Sequence, residues 1–352
     1  MMDGILEKDI AQLISHKKCF EPFEGASVLV AGATGLIGSI LIKSLLKYAQ
    51  ENQKKIKVYA VCRSKEKFES VFKGFLCDNL IPLFSDIISL DVSELELDYV
   101  IHGASITDSK TFVENPVETI ATALDGTRNL LRQCAGKKIK GVVFLSSLEV
   151  YGSFPGSDEV KNVTEKDGGY IDTLSVRSSY SEGKRMAECL CASYAAEYNM
   201  PVKVVRLCQT FGAGVSYSDN RVFAQFARAV IEHKDIILKT KGETVRNYCY
   251  TTDAVSGILI VLSKGNAGEA YNIANMQTTI SIADMASLFC HLFPESGSKV
   301  VFDIAVDAEK LGYNPVLKLQ LDSSKLAALG WNAEVGFEDM CRRLVEGMTS
   351  SR

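Results

Sequence analysis

A glycine-rich turn between a strand-like run and a helix-like run most strongly constrains how this chain can fold. The apolar run Val28–Ala31 leads directly into Gly32-Ala33-Thr34-Gly35-Leu36-Ile37-Gly38, and the helix-like residues 39–46 follow. Glycines allow such a turn to close tightly and allow backbone N–H groups to approach a phosphate, whose charge the helix dipole favours. The turn therefore predicts a dinucleotide site, with contacts expected from Gly32, Thr34, Gly35, Leu36, Ile37 and Gly38.

The apolar pattern of the following chain predicts strands that alternate with helices. We expect strands at 27–31, 56–62, 87–92, 98–103, 141–147 and 202–207, and helices at 36–50, 65–74, 112–135 and 179–198. Such alternation is typical of an α/β fold with a doubly wound parallel sheet, the Rossmann arrangement. Helical spacing at residues 5–16 predicts a further helix within an N-terminal extension of residues 1–24.

The composition argues against several classes of protein. A net charge of −4 without a basic block argues against a nucleic-acid partner. No apolar run reaches the roughly 18 to 20 residues of a membrane span, and the charged start does not resemble a signal peptide, so we expect a cytoplasmic protein. The ten cysteines and four histidines are scattered, which predicts reduced thiols and no metal site.

A tyrosine and a lysine four residues apart give the first indication of chemistry. Tyr180 and Lys184 would lie on one face of the predicted helix 179–198, about one turn apart. A lysine cation placed there can lower the pKa of the tyrosine. Ser147 and Glu149 follow the apolar run Val142–Phe144, which places a hydroxyl and a carboxylate at the carboxyl end of a strand, where ligands of such sheets bind.

With the glycine turn, the strand-end serine and Tyr-x-x-x-Lys in this order, residues 24–345 resemble the extended short-chain dehydrogenase/reductase family of nucleotide-sugar epimerases, dehydratases and decarboxylases. The resemblance implies an enzyme that oxidises C4 of a nucleotide-diphosphate sugar and reduces the product again with the same cofactor. Tyr180 would be the base, with a pKa held near neutral by Lys184 and the nicotinamide charge, and Ser147 would bind the same oxygen. Residues 25–207 would form the dinucleotide-binding domain, and residues 208–352 would form mainly a smaller, interleaved substrate-binding lobe.

Longer stretches are most similar to the UDP-glucuronate decarboxylases of that family. They comprise residues 115–122, 126–129, 177–185, 219–222 and 244–248. Arg246 would bind a phosphate or the sugar, with a surface ion pair as the alternative. Gln209 stands where the family has an asparagine. The similarity implies substrate contacts from Ser147, Arg177, Gln209, Arg221, Val222 and Arg246.

Glu149 bears on which reaction the chain catalyses. Its Ser-x-Glu pattern resembles decarboxylases and some 4,6-dehydratases, whereas simple 4-epimerases do not require this carboxylate. Leu148 stands where dTDP-glucose 4,6-dehydratases have an aspartate that serves as general acid. Decarboxylation of a UDP-hexuronate is the first expectation, and 4-epimerisation and 4,6-dehydration stay open. The alternative for Glu149 is a purely structural carboxylate. The alternative for the whole chain is a non-catalytic NAD(P)-binding sensor.

The second predicted strand leaves the choice between NAD and NADP open. Cys62 occupies the position of the acidic residue that binds the adenosine ribose of NAD, and the adjacent Arg63 could meet a 2′-phosphate. Asp91 and Val92 are expected at the adenine, with Asp86-Ile87 as the competing alignment. Ala104 is expected at the cofactor after the fourth strand.

The resemblance also implies a homodimer. Family members of this type pair the helices that correspond to residues 112–135 and 179–198 across a two-fold axis. Met186, Leu190 and Tyr194 form an apolar stripe at helical spacing that fits such a contact. The alternative is that this stripe only covers the chain's own sheet.

Overall fold

Helices and strands alternate in the computed structural model of this chain, which describes residues 4–154, 159–304, 316–350 and Arg352. Residues 1–3, 305–315 and 351 of the predicted extension and lobe thus lie outside the described residues. The helices are α1 (Gly4–Ser15), α2 (Leu36–Glu51), α3 (Lys65–Val71), α4 (Ser109–Glu114), α5 (Pro116–Cys134), α6 (Ser179–Tyr198), α7 (Val222–Ile231), α8 (Thr251–Lys264), α9 (Ile282–Leu292), α10 (Ser324–Ala327) and α11 (Phe337–Ser350). The strands are β1 (Ser27–Ala31), β2 (Lys57–Cys62), β3 (Leu80–Phe84), β4 (Tyr99–His102), β5 (Gly141–Ser147), β6 (Lys161–Val163), β7 (Val202–Leu207), β8 (Gln209–Phe211), β9 (Ile236–Leu238), β10 (Val245–Tyr250), β11 (Ala270–Ile273), β12 (Asn275–Ser281), β13 (Val300–Phe302) and β14 (Leu319–Leu321).

The central sheet has seven parallel strands in the order β11-β7-β5-β4-β1-β2-β3. This arrangement confirms the predicted α/β fold with a doubly wound parallel sheet. The direction of the strand order reverses between β1 and β4, and in such sheets the carboxyl ends at the reversal form the ligand crevice. Ala31 pairs with His102, so Gly32 and Gly103 leave the sheet side by side.

Both faces of this sheet are buried, as expected for parallel strands covered by helices. Every residue of β4 is buried, and successive residues alternate between two apolar clusters. Val30 and Ile101 belong to the cluster on one face, whereas Leu29 and Val100 belong to the cluster on the other. The strand ends at the crevice are therefore held by packing on both sides.

The third strand lies earlier than predicted, so the predicted strand at 87–92 is wrong. After β3, the Asp86 side chain turns the backbone, because its Oδ1 accepts a hydrogen bond from the Ile88 N–H at 3.0 Å. The Asn129 side-chain amide, on α5, then donates to the carbonyls of Ile87 and Leu90 at 3.0 and 2.8 Å. Ile87, Leu90 and Val92 are thus buried beside α5, which takes the place of a partner strand, whereas Ile88 is exposed.

The predicted helix 112–135 is two helices that meet at Asn115. Helix α4 ends at Glu114 and α5 begins with Pro116. Proline suits the first position of a helix, where its missing N–H costs nothing, but it cannot continue a preceding helix. The break leaves Phe112 on α4, where its ring stacks on that of Tyr180 with 4.3 Å between the centroids.

The helix predicted at 5–16 is α1, and it packs across several parts of the molecule. Its residues contact α2, α8 and α11. Leu6, Ile10, Leu13 and Ile14 are buried on its inner face, and the carboxylate residue Asp9 is also buried there. The N-terminal extension is therefore an integral layer of the described fold.

The chain after residue 207 contributes both to the central sheet and to smaller sheets. Strand β11 pairs with β7 at the edge of the central sheet, whereas β12, β10 and β8 form a separate three-stranded sheet. Strands β13 and β9 form one two-stranded sheet, and β14 and β6 form another. No helix in the described parts of the chain has the length and apolar character needed to span a membrane.

A buried aspartate ties the segment before α11 to the start of α8. One carboxylate oxygen of Asp253 accepts hydrogen bonds from the backbone N–H groups of Glu334 and Val335 at 3.1 and 3.0 Å. The Trp331 indole N–H donates to the Asp253 carbonyl at 3.0 Å. Burial raises the pKa of the Asp253 carboxyl to about 6, although these N–H donors oppose the increase.

This raised pKa predicts how Asp253→Asn changes stability with pH. The folded chain binds a proton at Asp253 at higher pH than the unfolded chain, so the group's contribution to stability falls as pH rises from about 4 to 6. Relative to the wild type, the variant should gain roughly 2–3 kcal/mol over that interval and then remain constant. Urea unfolding at several pH values measures this difference, and parallel curves for the two proteins would contradict the prediction.

Candidate active site

The glycine turn after β1 is closed by backbone contacts that leave no room for side chains. Gly32 has φ +86°, and a Cβ at this residue would lie 2.7 Å from the carbonyl carbon of Gly103. A Cβ on Gly38 would lie 2.3 Å from the Gly32 carbonyl oxygen. The positive φ and both close approaches require glycine. The turn is thus packed against the loop after β4, where Ala104 follows.

The start of α2 provides the donors that a pyrophosphate needs. Gly35 is the N-cap residue, and no side chain of the described residues caps this helix end. The N–H groups of Leu36, Ile37 and Gly38 lie in the first helical turn, where they have no carbonyl partner within the helix. This cradle fits the diphosphate of NAD, as the sequence predicts for these residues and for Thr34 beside them.

The residues at the ends of β2 and β3 define the adenosine side of the crevice. Arg63 follows β2, and its side chain is exposed, with Nη1 3.9 Å from a carboxylate oxygen of Asp86. Because β3 ends at Phe84, Asp86 and Ile87 occupy the position predicted for Asp91 and Val92. Residues 87–92 form no strand in the described structure, so the position of β3 favours the alternative alignment, with Asp86-Ile87 at the adenine. Val92 is instead buried beside α5, where its N–H donates to Gln133.

The predicted catalytic hydroxyls meet where β5 ends and α6 begins. Ser147 is the last residue of β5, and its hydroxyl lies near Tyr180, in the first turn of α6, where it lowers the pKa of the phenol. Lys184 lies one turn further along α6 and is almost completely buried. Its Nζ donates to the Leu145 carbonyl at 2.7 Å and lies 5.8 Å from the centroid of the Tyr180 ring. The structure therefore brings these three predicted residues together.

The expected near-neutral pKa of Tyr180 is not found in the protein alone. Burial, followed by the charge of Glu149, raises the pKa of Tyr180 to about 12, and the hydrogen bond with Ser147 opposes this increase. Burial also lowers the pKa of Lys184 to about 8. Desolvation disfavours the charged form of each group, and it is the largest cause of both shifts. Further positive charge beside the phenol is needed to ionise it near neutral pH.

Glu149 is held by a guanidinium group and a hydroxyl. Nη1 and Nη2 of Arg177 each lie 3.1 Å from a different carboxylate oxygen, which is the bidentate geometry of a strong ion pair. The Ser181 hydroxyl donates to Oε2 at 3.2 Å. Arg177 also stacks on Phe112, with its guanidinium carbon 4.8 Å from the ring centroid. The carboxylate is thus fixed beside Tyr180. We call Glu149, Arg177 and Ser181 the Glu149 clamp.

The predicted substrate residues after β7 lie on a neighbouring group of elements. Ser147 pairs with Leu207, so Gln209 follows two residues after the strand end next to Ser147. Gln209 also pairs with Tyr248 of β10, which carries Arg246 two residues earlier. The Nε of Arg246 is buried and has no hydrogen-bond partner among the described residues. This donor is available to an acceptor on a ligand.

Arg221 and Val222 lie where α7 begins. The Arg221 guanidinium forms an ion pair with Asp219, with Nη2 2.6 Å from Oδ2, and its Nη1 donates to the Thr210 carbonyl at 3.4 Å. Val222 is the first residue of α7. Arg221 is thus linked to β8, although its charge is already balanced by a local carboxylate.

Sequence reasoning missed Phe112 and Ser181 as parts of the site. Phe112 stacks on Tyr180 and supports Arg177, but an isolated aromatic residue in a helical pattern gives no local signal of this role. Ser181 is adjacent to Tyr180 in the sequence, and its contact with Glu149 results from the position of α6 against β5. Both contacts depend on packing between elements distant in the chain.

Comparison with known proteins identifies the family. A profile of the NAD dependent epimerase/dehydratase family matches residues 28–274. The UDP-N-acetyl-α-D-glucosaminuronate decarboxylase of Bacillus cytotoxicus is 31% identical over 303 residues, which cover 85% of this chain and 89% of that protein. UDP-glucuronic acid decarboxylase 1 of Xenopus tropicalis is 26% identical over 338 residues, or 95% of this chain and 75% of that protein. The chain belongs to the NAD dependent epimerase/dehydratase family, and NAD is its cofactor.

A solved structure supports the same fold. The UDP-glucuronic acid 4-epimerase of Bacillus cereus, crystallised with UDP-glucuronic acid and NAD, superposes with a TM-score of 0.76 at 23% identity. The match covers 92% of this chain and 99% of the epimerase chain. The decarboxylases and dehydratases among the relatives are enzymes, so the non-catalytic sensor is not retained.

The packing of the glycine turn predicts that Gly38→Ala weakens NAD binding. The new Cβ would clash with the Gly32 carbonyl, so the turn must open, at a cost of about 1–3 kcal/mol. Isothermal titration should show about 5- to 150-fold weaker binding of NAD, and thermal unfolding should occur at lower temperature. Gly336→Ala is the matched control, because a Cβ there meets no atom within 4 Å. Unchanged NAD affinity in Gly38→Ala would contradict this account of the turn.

Proposed function

We propose that this protein is an NAD-dependent nucleotide-sugar enzyme that decarboxylates a UDP-hexuronate through transient oxidation at C4. The observation that carries the proposal is the Glu149 clamp beside Tyr180 and Ser147. A carboxylate fixed this way at the reacting end of the sugar serves a step other than oxidation of C4. The decarboxylases among the relatives support this choice of reaction.

Tyr180, Ser147 and Lys184 would each contribute to the oxidation of the sugar at C4. When bound, NAD⁺ accepts a hydride from a sugar carbon and can return it. Tyr180 takes the C4 hydroxyl proton as general base, and Ser147 holds the same oxygen through its hydroxyl. The nearby Lys184 ammonium favours the phenolate form of Tyr180. These three residues would serve any reaction that starts with oxidation at C4.

Loss of the carboxyl group becomes possible in the 4-keto product. A ketone at C4 is β to the C6 carboxylate, so breaking the C5–C6 bond releases CO₂ and leaves an enolate on the sugar. A proton must then be added to C5. We assign the delivery of this proton to Glu149 and to the groups that bind its carboxylate, Arg177 and Ser181. The unpartnered Nε of Arg246 supports binding of an anionic substrate group, either a phosphate or the sugar carboxylate.

4,6-Dehydration of a nucleotide hexose, in which water leaves across C5–C6 after oxidation at C4, is the second candidate, and the same carboxylate favours it. A 4,6-dehydratase needs a base for the C5 proton, and Glu149 could supply it. The buried Leu148 argues against this candidate, because it replaces the acid that would protonate the leaving hydroxyl. A 4-epimerase requires no carboxylate at residue 149, although solved epimerases share the fold.

The proposal includes a cytoplasmic homodimer formed through α5 and α6. Met186 on α6 and Val117 on α5 are exposed, and Ile120 is partly exposed beside them, which leaves apolar area for a partner copy. Leu190 and Tyr194 of the predicted stripe are partly buried against the chain's own core. The exposed part of the stripe therefore supports the dimer, and the other part covers the sheet.

The reaction is tested by Glu149→Gln with UDP-glucuronate as substrate. The wild type should release CO₂ and yield a UDP-pentose. The variant keeps the shape of the side chain but loses its charge, so we expect reduced cofactor to accumulate on the enzyme while product formation falls by about 10²-fold or more. Stopped-flow absorbance and NMR measure the two steps.

Tyr180→Phe is the matched control, because it should block the first step and form no reduced cofactor, with turnover lower by about 10²- to 10⁴-fold. Near-normal product from Glu149→Gln would exclude a role for this carboxylate. A product that retains its carboxylate and is inverted at C4 would replace decarboxylation by 4-epimerisation.

The dimer is tested by Met186→Glu. A charge on this exposed position of α6 would be desolvated in the proposed interface, so the variant should shift from dimer to monomer. Light scattering at micromolar concentration measures the mass. Met276→Glu changes an exposed methionine on β12 and should remain dimeric. A monomeric wild type, or equal masses for the wild type and Met186→Glu, would refute the proposed interface.

A further inference from the structure

A buried polar network joins the N-terminal helix to the turn that follows β8. Asp9 on α1 is only 3% exposed, and its two carboxylate oxygens have different partners. Oδ1 accepts from Nη1 of Arg343 on α11 at 2.7 Å, and Oδ2 accepts from the Tyr250 hydroxyl. Burial and the adjacent carboxylate hold the pKa of Tyr250 well above its ordinary value, so its hydroxyl stays protonated and donates to Asp9.

The same hydroxyl fixes the backbone of the turn Gly212–Gly214. The Ala213 N–H donates to the Tyr250 oxygen at 3.2 Å. The Tyr250 ring also lies against Gly212, where a Cβ would be 2.3 Å from ring atom Cε2. Ala213 is fully buried, so this N–H depends on Tyr250 rather than on solvent for its partner. Tyr250 thus sets both the position and the hydrogen bonding of the turn.

Helix α1 contacts this turn directly as well. A Cβ on Gly214 would lie 3.6 Å from Cδ2 of Leu6 on α1 and 3.6 Å from Cδ1 of Leu36. Leu36 is the first residue of the helix that begins at the dinucleotide turn. The N-terminal helix therefore meets the turn Gly212–Gly214 at a point where the cofactor helix also begins.

Attaching a helix through a buried carboxylate is energetically unfavourable, because the charged group loses its hydration. Its desolvation must be offset by a partner charge and by hydrogen bonds, whereas apolar residues can anchor a helix without that cost. Helix α1 already has apolar anchors in Ile10, Leu13 and Ile14. Buried polar groups with defined partners fix geometry more than they add stability. The network Asp9–Tyr250–Ala213 fits such a geometric role.

We propose that Asp9 is a positioning residue that acts through Tyr250 to fix the turn Gly212–Gly214 and, with it, the adjacent substrate residue Gln209. The turn follows β8 directly, and β8 begins with Gln209. Asp9 lies outside residues 28–274, the part of the chain that matches the family. The N-terminal helix would thus be a substrate-side element that lies outside this matched range. The link to substrate rests on the proposed function.

The test compares Asp9→Asn and Tyr250→Phe with Leu13→Ala. Leu13 lies one turn further along α1 and is a buried apolar anchor, so its truncation loosens the helix without removing a member of the network. Hydrogen exchange of the peptide that covers residues 209–218 reports on the Ala213 N–H. We expect Asp9→Asn and Tyr250→Phe to increase its exchange rate by about tenfold or more, and Leu13→Ala to leave it near the wild-type value.

Titration with UDP supplies the functional readout. The two network variants should bind UDP about three- to tenfold more weakly and raise KM for the sugar nucleotide, with kcat and the affinity for NAD nearly unchanged. Equal exchange rates in all three variants, or no increase in the network variants, would overturn the positioning role. If the wild-type protein does not bind UDP, the proposed function fails, and the exchange data still decide whether Asp9 holds the turn.

Discussion

The close approach of the Gly32 turn to the backbone of Gly103 is the constraint on which the site depends. It fixes the carboxyl ends of β1 and β4 at the point where the strand order reverses, and β5 lies next to β4. Ser147 at the end of β5 then faces the crevice, and α6 places Tyr180 beside it. A side chain at Gly32 would clash with Gly103 and separate these strand ends, whereas one at Gly38 would clash with the Gly32 carbonyl within the turn. The cofactor cradle and the proposed catalytic hydroxyls are therefore parts of one arrangement.

Burial largely determines the pKa values of the ionisable groups in this site. The protein alone favours a neutral Tyr180, because desolvation and the Glu149 carboxylate both raise its pKa. The Arg177 guanidinium balances Glu149 and lowers the cost of a carboxylate near the phenol. Such an arrangement keeps the tyrosine protonated until further positive charge is present, and it keeps Glu149 in a defined orientation for a second step. In the proposed reaction, the residue suited to the oxidation, Tyr180, is thus distinct from Glu149, the residue suited to the second step.

Much of the fold and part of the site could be predicted from local sequence patterns. The glycine turn, Tyr180, Lys184 and Ser147 are encoded by spacing within one strand-turn-helix unit or one helix, and the structure brings the last three together. The third strand was misplaced because Ile87, Leu90 and Val92 are apolar for burial beside α5, where the Asn129 side chain, and not a neighbouring strand, donates to the Ile87 and Leu90 carbonyls.

The remaining parts of the site depend on contacts between distant segments. Asp9 meets Tyr250 across 241 positions of sequence, and Phe112 meets Tyr180 only because Pro116 starts a new helix. The raised pKa of Tyr180 in the protein alone is also beyond a local pattern, because a lysine one turn away does not reveal how deeply both groups are buried. Spacing predicted which groups are brought together, and packing determines their pKa values.

The fate of the hydrogen on C4 of the sugar tests the central claim most directly. With UDP-glucuronate deuterated at C4, the account predicts a UDP-pentose that carries deuterium at C4, with none in free cofactor or solvent, because the same bound cofactor returns it. NMR and mass spectrometry of the product measure its position. Deuterium at C6, a product that keeps the carboxylate, or deuterium lost to the free cofactor would contradict decarboxylation through transient oxidation at C4.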